Sequence, residues 1–469
     1  MRNIKKNNKE FHPINWQNDN FIMDTRTFRV AKVSPIINEI ISRYDETPNN
    51  GCLSDLSKVF GADDVLEAKR VIKDIKNDGL HAKANEKFDC HKGFRSEPVV
   101  LYLSVDENCN LRCKYCYASK RIKQKSNNIM SKKTVRKTID YFFDNYAANK
   151  DWVISFVGGE PLMNFEAIKE TVNYSKEKAK KFKLRVSFSV TTNGLLLNSV
   201  INKYLLDNSI MPVISIDGPP SIHNAARIFA DGQGSYKFVM DKAMELLRLY
   251  KTYSLDAAVS ICSTIIPGEI SLKQRIMHFT KLGFVSHGFQ PVVMSPKYPF
   301  YFSKKDFISL KSEYTSLASW AIKMLGSGGW WRYKGSLFAA FSDYFPFFMG
   351  RMQKQHSPMC KAGILCFTVL PNGNIYACPV LAGENRYKMG DIFQGLDCKT
   401  RKLYMQNNVD SSKVCRECWA RYLCGGGCLA QNGKVNNNLF NPNKELCEFI
   451  KHKVELSAII FSKIAEKTN

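Results

Sequence analysis

The sequence lacks any run of 18 consecutive apolar residues, which excludes a membrane-spanning helix. Its basic start, Met1–Lys6, leads into no apolar segment of the kind found in secretory signals, so we expect a cytoplasmic protein without a membrane partner. Acidic residues are scarce: 43 Asp and Glu against 68 Lys and Arg leave a formal net charge of +25. Of the 469 residues, 44% are hydrophobic and 24% charged, which excludes disorder as the main state and indicates two or three domains.

The basic excess allows two interpretations. Concentrated in blocks it would attract nucleic acid, but the lysines are spread along amphipathic segments, which is typical of solvated helix faces. We therefore expect no nucleic-acid partner. An excess of this size would still attract an acidic peptide.

The 15 cysteines are many for a chain expected in a reducing compartment, where clustered thiols act as metal or redox ligands. Three fall within Cys109–Cys116 and nine lie between Cys360 and Cys447. The remaining three are isolated, and we expect them to be buried free thiols: Cys52, Cys90 and Cys262.

Six β-rich runs, most of them separated by amphipathic helical stretches, begin after Pro98. This alternation predicts an α/β fold with a parallel sheet, either open and doubly wound or closed into an incomplete barrel. The runs are Val99–Val105, Trp152–Val157, Arg185–Val190, Pro212–Ile216, Ala257–Ile261 and Val285–Phe289.

The first four runs are each followed by an unusual loop. Three cysteines follow the first run, and the next three are followed by Gly158–Pro161, Thr191–Gly194 and Asp217–Pro219. Loops at the carboxyl ends of parallel strands converge, so we expect these four loops to share one pocket.

Other modules flank this sheet. A strand at Thr27–Val33 and helices at Pro35–Tyr44 and Asp63–Asn77 predict a winged-helix-like domain over 1–95. The sheet region covers 96–293, and the aromatic-rich, weakly periodic residues 294–358 are interpreted as a bridge. Residues 359–469 end in a predicted helix at Phe449–Ile464, and their cysteine-dense part is expected to be held together by metal rather than by a large apolar core.

Cys109, Cys113 and Cys116 form a C-x₃-C-x₂-C array. Three thiolates from one loop suit a [4Fe-4S] cube and leave one iron without a protein ligand. A zinc ion would need a fourth ligand, and no His or Cys follows before Lys133. An open iron can bind a small molecule, which indicates chemistry rather than electron storage.

At these residues the chain resembles the radical S-adenosylmethionine (SAM) enzymes, whose motif is C-x₃-C-x-aromatic-C. The resemblance implies a partial (β/α)₆ barrel of the TIM type. It also implies that the triplet holds the cluster, that SAM chelates the fourth iron, and that reductive cleavage of SAM gives a 5′-deoxyadenosyl radical that abstracts hydrogen from a substrate. By the same resemblance Tyr115 packs beside the adenine, Gly159 and Glu160 receive the methionine amino group, and Ser215 and Arg227 contact SAM.

The C-terminal cysteines resemble the SPASM domain, a family extension with two auxiliary [4Fe-4S] clusters. Zinc ribbons are the generic alternative for C-x₂-C pairs, but only one such pair occurs here. Seven cysteines match the pattern, Cys366 is the natural eighth ligand, and without it the first auxiliary cluster would have an open iron. Cys398 lies outside the pattern and is expected to be a buried free thiol. The implied ligand sets are Cys360, Cys366, Cys378 and Cys428 for the first cluster and Cys415, Cys418, Cys424 and Cys447 for the second.

The resemblance also directs the choice of substrate. Sulfatase maturases carry an Asp base where Pro379 follows Cys378, which counts against formylglycine formation. The N-terminal module resembles a leader-peptide recognition element. We therefore expect a thioether-forming maturase of the sactipeptide or ranthipeptide kind, acting on a cysteine-containing precursor peptide with a leader and reduced by a flavodoxin- or ferredoxin-type donor. The alternatives are a carbon–carbon cross-linking maturase, a protein-modifying maturase and a zinc-dependent nucleic-acid binder.

Overall fold

The computed structural model describes residues 11–43, 50–77, 97–122, 129–255, 258–351 and 360–468. Within these residues no helix is long and apolar enough to cross a membrane. The strands are β1 (Phe11–Trp16), β2 (Asp19–Asp24), β3 (Val30–Val33), β4 (Val99–Asp106), β5 (Asp151–Gly158), β6 (Arg185–Thr192), β7 (Ile210–Ser215), β8 (Ser260–Ile265), β9 (Ser286–Pro291), β10 (Cys366–Val369), β11 (Asn374–Tyr376), β12 (Lys388–Asp391) and β13 (Gly395–Leu396).

Helices surround the strands, and most of the longer ones bury one apolar stripe. They are α1 (Pro35–Arg43), α2 (Asn50–Phe60), α3 (Ala62–Asn77), α4 (Ser119–Ile122), α5 (Lys132–Tyr146), α6 (Phe165–Phe182), α7 (Ser199–Asp207), α8 (Pro220–Ala226), α9 (Tyr236–Thr252), α10 (Leu272–Leu282), α11 (Lys304–Gly326), α12 (Trp330–Phe341), α13 (Phe345–Phe348), α14 (Cys398–Gln406), α15 (Lys413–Arg416), α16 (Arg421–Cys424), α17 (Leu429–Asn436) and α18 (Lys444–Thr468), with short 3₁₀ turns at Pro161–Asn164, Ser342–Tyr344 and Asn385–Tyr387.

Strands β4 to β9 pair in chain order, all in parallel, and helices connect most of them, which confirms the predicted α/β fold with a parallel sheet. The fifth strand starts three residues later than predicted, at Ser260. Its inward positions include the small polar Ser263, which is buried and donates a hydrogen bond to the Ile216 carbonyl at 2.7 Å. A polar residue at a core position hides the alternation that a strand normally shows.

The C-terminal segment extends the same sheet. β10 pairs in parallel with β4, and β11 to β13 follow in antiparallel order, so one sheet of ten strands results. Phe367, Val369 and Ile375 are fully buried in the core that also contains Leu101 and Leu103 of β4. The expectation that this segment lacks a share in a large apolar core is therefore wrong for residues 362–392. Its strands have only two to four residues each, too few to show a hydrophobic period.

The N-terminal sheet has two strands, β1 and β2, that the sequence did not predict. Pro13 lies within the first strand, where proline is uncommon, and the turn between the two strands places Gln17 at φ 52° without the glycine that usually marks such a turn. One face of the sheet, with Trp16 and Phe21, packs into the core that contains α18, while the other face packs on α1. Lys463 of α18 also pairs with Asp19 at 2.7 Å. The module is thus docked on the C-terminal helix.

The expected weak periodicity of residues 294–358 is wrong, because α11 runs for 23 residues through this segment. Ser303 and Asp306 form a capping box at its start. The buried positions recur every three or four residues, as a helix requires: Phe307, Leu310, Tyr314, Leu317, Ala318 and Ala321.

Replacing Phe367 by Ala tests whether β10 shares the main core. The ring lies 5.2 Å from that of Phe142 and 5.4 Å from that of Tyr146, both on α5. We expect Phe367→Ala to lower the free energy of unfolding by about 3–5 kcal/mol in urea denaturation. Phe393→Ala, in the same segment but 60% exposed, is the control and should change it by at most about 0.5 kcal/mol. Equal effects would contradict a shared core.

Candidate functional site

The loops after β4 to β7 meet at one edge of the sheet, as the sequence predicts. The Asn193 amide, just beyond β6, donates to the Cys109 sulfur at 3.7 Å. The Tyr115 hydroxyl donates to Asp217, which lies just beyond β7, at 2.6 Å. The Glu160 backbone N–H donates to the Asn108 carbonyl at 2.8 Å. The carboxyl ends of these strands therefore form one polar site.

The triplet loop is held from two sides. The N–H groups of Arg112 and Lys114 donate to the carbonyls of Ile228 and Ala226 at 2.7 and 2.9 Å. The two acceptors flank Arg227, so these bonds also fix the position of its backbone. On the other side Gly159 donates to the Asp106 carbonyl at 2.8 Å.

The three triplet thiols lie within electrostatic range of one another. Burial, reinforced by the neighbouring Cys116 thiol, raises the pKa of Cys109, and burial raises the pKa of Cys113 to about 11. Burial likewise raises the pKa of Cys116. The Arg227 guanidinium opposes these shifts at all three thiols. Converging thiols beside a buried cation suit an anionic metal cluster better than they suit free thiolates.

Glu160 is fully buried and its carboxylate is already bound by the protein. It accepts hydrogen bonds from the Leu162 N–H at 3.0 Å, the Thr192 hydroxyl at 2.7 Å and the Asn193 N–H at 2.7 Å. These bonds tie the end of β5 to the end of β6. A carboxylate has about four lone-pair sites, so one acceptor position is left for a ligand.

Arg227 and Tyr115 form a buried polar pair. The guanidinium donates to the Tyr115 hydroxyl at 2.8 Å, and its Nε has no hydrogen-bond partner among the described residues. Burial raises the pKa of Asp217, and the nearby Arg227 opposes the rise. An unpaired buried N–H is costly, so this Nε fits a bound carboxylate.

Ser215, the last residue of β7, lies opposite Cys262 of β8 in the pairing. Cys262 is partly exposed rather than buried as expected, although burial raises its pKa to about 11.

Cys398, expected to be buried, is exposed at the first position of α14. The Cys52 side chain and the whole of Cys90 lie outside the described residues.

The C-terminal cysteines form two groups. In the first, the ionisable groups that raise the pKa of Cys366, after burial itself, are Cys360 and Cys378, and the Cys428 thiol likewise acts on Cys378. In the second, Cys424 is surrounded by the Cys447, Cys418 and Cys415 thiols, and burial raises its pKa to about 12. Each group therefore contains four thiols from separate parts of the chain.

Within the described residues, no three His, Cys, Asp or Glu side chains are close enough to hold a single metal ion. A [4Fe-4S] cube binds each thiolate at a different iron, so its ligands lie further apart than those of one ion.

The sequence did not assign a role to Asp217, His223 or Arg275. These residues hold the loop after β7 in place. Asp217 accepts from the Thr264 N–H at 3.0 Å, and its own N–H donates to His223 Nδ1 at 3.4 Å. Arg275, fully buried, donates to the Asp217 and Thr264 carbonyls. The Asp-Gly-Pro motif after β7 was the available signal for Asp217.

A family model described as "4Fe-4S single cluster domain" matches residues 92–240. The radical SAM cyclopropyl synthase TigE of Paramaledivibacter caminithermalis is 24% identical over 450 residues, which are 92% of this chain and 88% of that protein. A cysteine-type anaerobic sulfatase-maturating enzyme of Clostridium novyi is 24% identical over 73% of this chain and 91% of its own. The chain is an enzyme and resembles the radical SAM enzymes over most of its length.

Solved structures share the fold of the enzyme. The structure of anSMEcpe with bound AdoMet matches 79% of the enzyme and 99% of its own chain at a TM-score of 0.63, with 20% identity. Streptococcus suis SuiB bound to S-adenosylmethionine matches 93% and 99% at a TM-score of 0.51, with 14% identity.

His223 makes the stability of this site pH-dependent. Burial lowers its pKa to about 2, whereas an unfolded His titrates near about 6.5. A depressed folded-state pKa gives stability that is complete above about pH 6.5 and falls by about 1.4 kcal/mol per pH unit below it. We expect His223→Asn to reduce this slope between pH 6.5 and 5 by about one proton in urea denaturation at several pH values. Burial also lowers the pKa of His287, so a His287→Asn variant should reduce the slope in the same direction. An unchanged slope in His223→Asn would contradict a neutral buried imidazole.

Proposed function

We propose that the enzyme modifies a ribosomally made peptide by hydrogen-atom abstraction followed by cross-link formation, with a thioether as the first candidate. The observation that carries the proposal is the grouping of eleven thiols as three, four and four. A group of three thiols beside a buried polar edge, together with two groups of four, suits radical generation and electron transfer in one chain.

The thiols fit iron–sulfur clusters, and the polar residues beside them fit SAM. Cys109, Cys113 and Cys116 would hold the open cluster, and the unpartnered Arg227 Nε would bind the SAM carboxylate. Glu160 would accept from the SAM amino group through its remaining lone pair. Tyr115 would lie beside the adenine and Ser215 would contact SAM.

When bound, the open cluster and SAM would supply the means to abstract one hydrogen atom from the peptide, and the auxiliary clusters would supply an acceptor for one electron, the second hydrogen leaving as a proton. The chain itself orients the cofactor and keeps its charged ends paired. Glu160 and Arg227 are buried at the site, so both would act in a medium of low polarity, where charge-assisted hydrogen bonds are strong.

Three features support a peptide substrate. One solved neighbour is described as anSMEcpe with bound AdoMet and Cp18Cys peptide. The basic excess of the chain suits an acidic leader. Strands β1 to β3 form a small sheet of their own, consistent with leader recognition. A flavodoxin- or ferredoxin-type donor would supply the reducing electron.

Carbon–carbon bond formation is the second candidate. The relative that covers 92% of the chain is named a cyclopropyl synthase, and a cyclopropane ring closes through a carbon–carbon bond. Conversion of a sulfatase is less favoured, since Pro379 stands where the base of those maturases is expected.

The peptide proposal is tested with reduced enzyme, SAM and a synthetic peptide from a short cysteine-containing reading frame beside the gene. We expect 5′-deoxyadenosine and a mass loss of two hydrogens from the peptide. A Cys109→Ala, Cys113→Ala, Cys116→Ala variant should lower both to background, because the open cluster would have no ligands. Active, SAM-cleaving enzyme that never changes the mass of the peptide would contradict the proposal.

The same product separates the two candidates. Treatment with iodoacetamide before mass spectrometry should leave a thioether unalkylated at its cysteine. Alkylation of every cysteine in the product would instead establish a carbon–carbon bond.

Cys366 is expected to be the eighth auxiliary ligand. Three full clusters correspond to about 12 irons per chain, and Cys366→Ala should lower the iron content or change the Mössbauer spectrum of one auxiliary site. Cys398→Ala is the matched control, because that thiol is exposed and outside both groups of four. Identical iron content and spectra in both variants would show that Cys366 is not a ligand.

A further inference from the structure

Tyr117, directly after the third cysteine of the triplet, is enclosed and yet accessible. Its side chain is 40% exposed. Besides Arg121, the ionisable groups within electrostatic range of its phenol come from three separate parts of the chain: Cys116 in its own loop, Cys378 beyond β11 and Cys262 on β8. A ring surrounded by three elements that still meets solvent faces a cleft between them.

This cleft lies between the triplet and the first group of four. Tyr102 of β4 has Cys366, Cys378 and Cys360 as its nearest thiols, and Tyr117 is its next ionisable neighbour. The two tyrosines therefore connect the two cysteine groups.

The ring is fixed on one side only. The Arg121 guanidinium lies 5.9 Å from the ring centroid, and its ion pair with Glu107, at 2.9 Å, is largely buried. A Cβ at Gly383 would overlap the Arg121 side chain, so the C-terminal segment holds this arginine in place. Within the described part of the chain the Tyr117 hydroxyl makes no hydrogen bond. One ring face is thus anchored, and the hydroxyl is left to a ligand.

We propose that Tyr117 contacts the peptide residue that reacts, and that it determines which residue is accepted. This inference rests on the proposed function. The ring offers an apolar face and the hydroxyl a donor for a peptide carbonyl, a combination that favours tyrosine at interfaces.

The test compares Tyr117→Ala and Tyr117→Phe with Tyr253→Ala, a control tyrosine that is 59% exposed just beyond α9. The probe is the synthetic precursor peptide used above. For Tyr117→Ala we expect the peptide KM, and its Kd measured with SAM in the unreduced enzyme, to rise about tenfold, the effect of losing one aromatic contact. Modified peptide per 5′-deoxyadenosine should fall, while 5′-deoxyadenosine formed without peptide should stay within about twofold of wild type, as expected of a residue outside the SAM contacts. Tyr253→Ala should match wild type throughout.

The Tyr117→Phe variant shows whether the ring or the hydroxyl of Tyr117 makes the contact with the peptide. A wild-type KM would show that the ring provides it, and a KM as high as that of Tyr117→Ala would show that the hydroxyl does. A Tyr117→Ala enzyme with wild-type KM and coupling would overturn the inference. So would loss of 5′-deoxyadenosine in the absence of peptide, because Tyr117 would then serve SAM or electron transfer instead.

Hydroxyl-radical footprinting of the wild-type enzyme gives a readout that needs neither a variant nor turnover. We expect oxidation of Tyr117 to fall when peptide is bound and oxidation of Tyr253 to stay constant. If a peptide that the enzyme modifies protects neither tyrosine, the contact between Tyr117 and the peptide is rejected and the proposed function stands. A peptide that binds but is never modified would reject the proposed function instead.

Discussion

The parallel pairing on both sides of β4 is the constraint on which the site depends. β5 pairs along one side of β4, and β10 pairs along the other from Cys366 opposite Val100 to Val369 opposite Leu103. The same strand delivers the triplet loop at its carboxyl end. From Val100 to Asp106 the strand spans about 20 Å, at about 3.3 Å per residue. A hydrogen-bonded strand, and not a metal, therefore sets the spacing between Cys366 and the start of the triplet loop.

Buried polar groups then fix the strand ends relative to one another. Glu160 joins β5 to β6, and Asp217 joins Tyr115 of the triplet loop to Thr264 of β8. Buried carboxylates are costly unless their oxygens are bonded, so any displacement of these loops would leave a charge without partners. These bonds hold the site in one arrangement, which is the condition for orienting a reactive radical toward one carbon.

The parallel strands could be predicted from the sequence because each strand is a short local pattern. The candidate cluster ligands could be predicted because the spacing of the cysteines is visible in the sequence itself. β10 to β13 could not, since two to four residues carry no period and the pairing of β10 with β4 spans more than 260 positions. The burial state of Cys398 depends on the orientation of α14, which local sequence does not encode. The support that Asp217 gives to Tyr115 also depends on contacts across about 100 residues.

The Gly-Gly-Glu-Pro loop shows why a motif residue need not do what its resemblance implies. A Cβ at Gly159 would overlap the Asn108 carbonyl, and one at Gly158 would overlap that of Asp106. Both glycines therefore admit the backbone that leads into the cysteine triplet, so their small size is required by the protein's own chain whether or not a ligand approaches. Glu160 is likewise bound internally. The loop first supports the backbone that leads to Cys109 at the end of the sheet. Any contact with the methionine end of SAM would use the acceptor position of Glu160 that the protein leaves unoccupied.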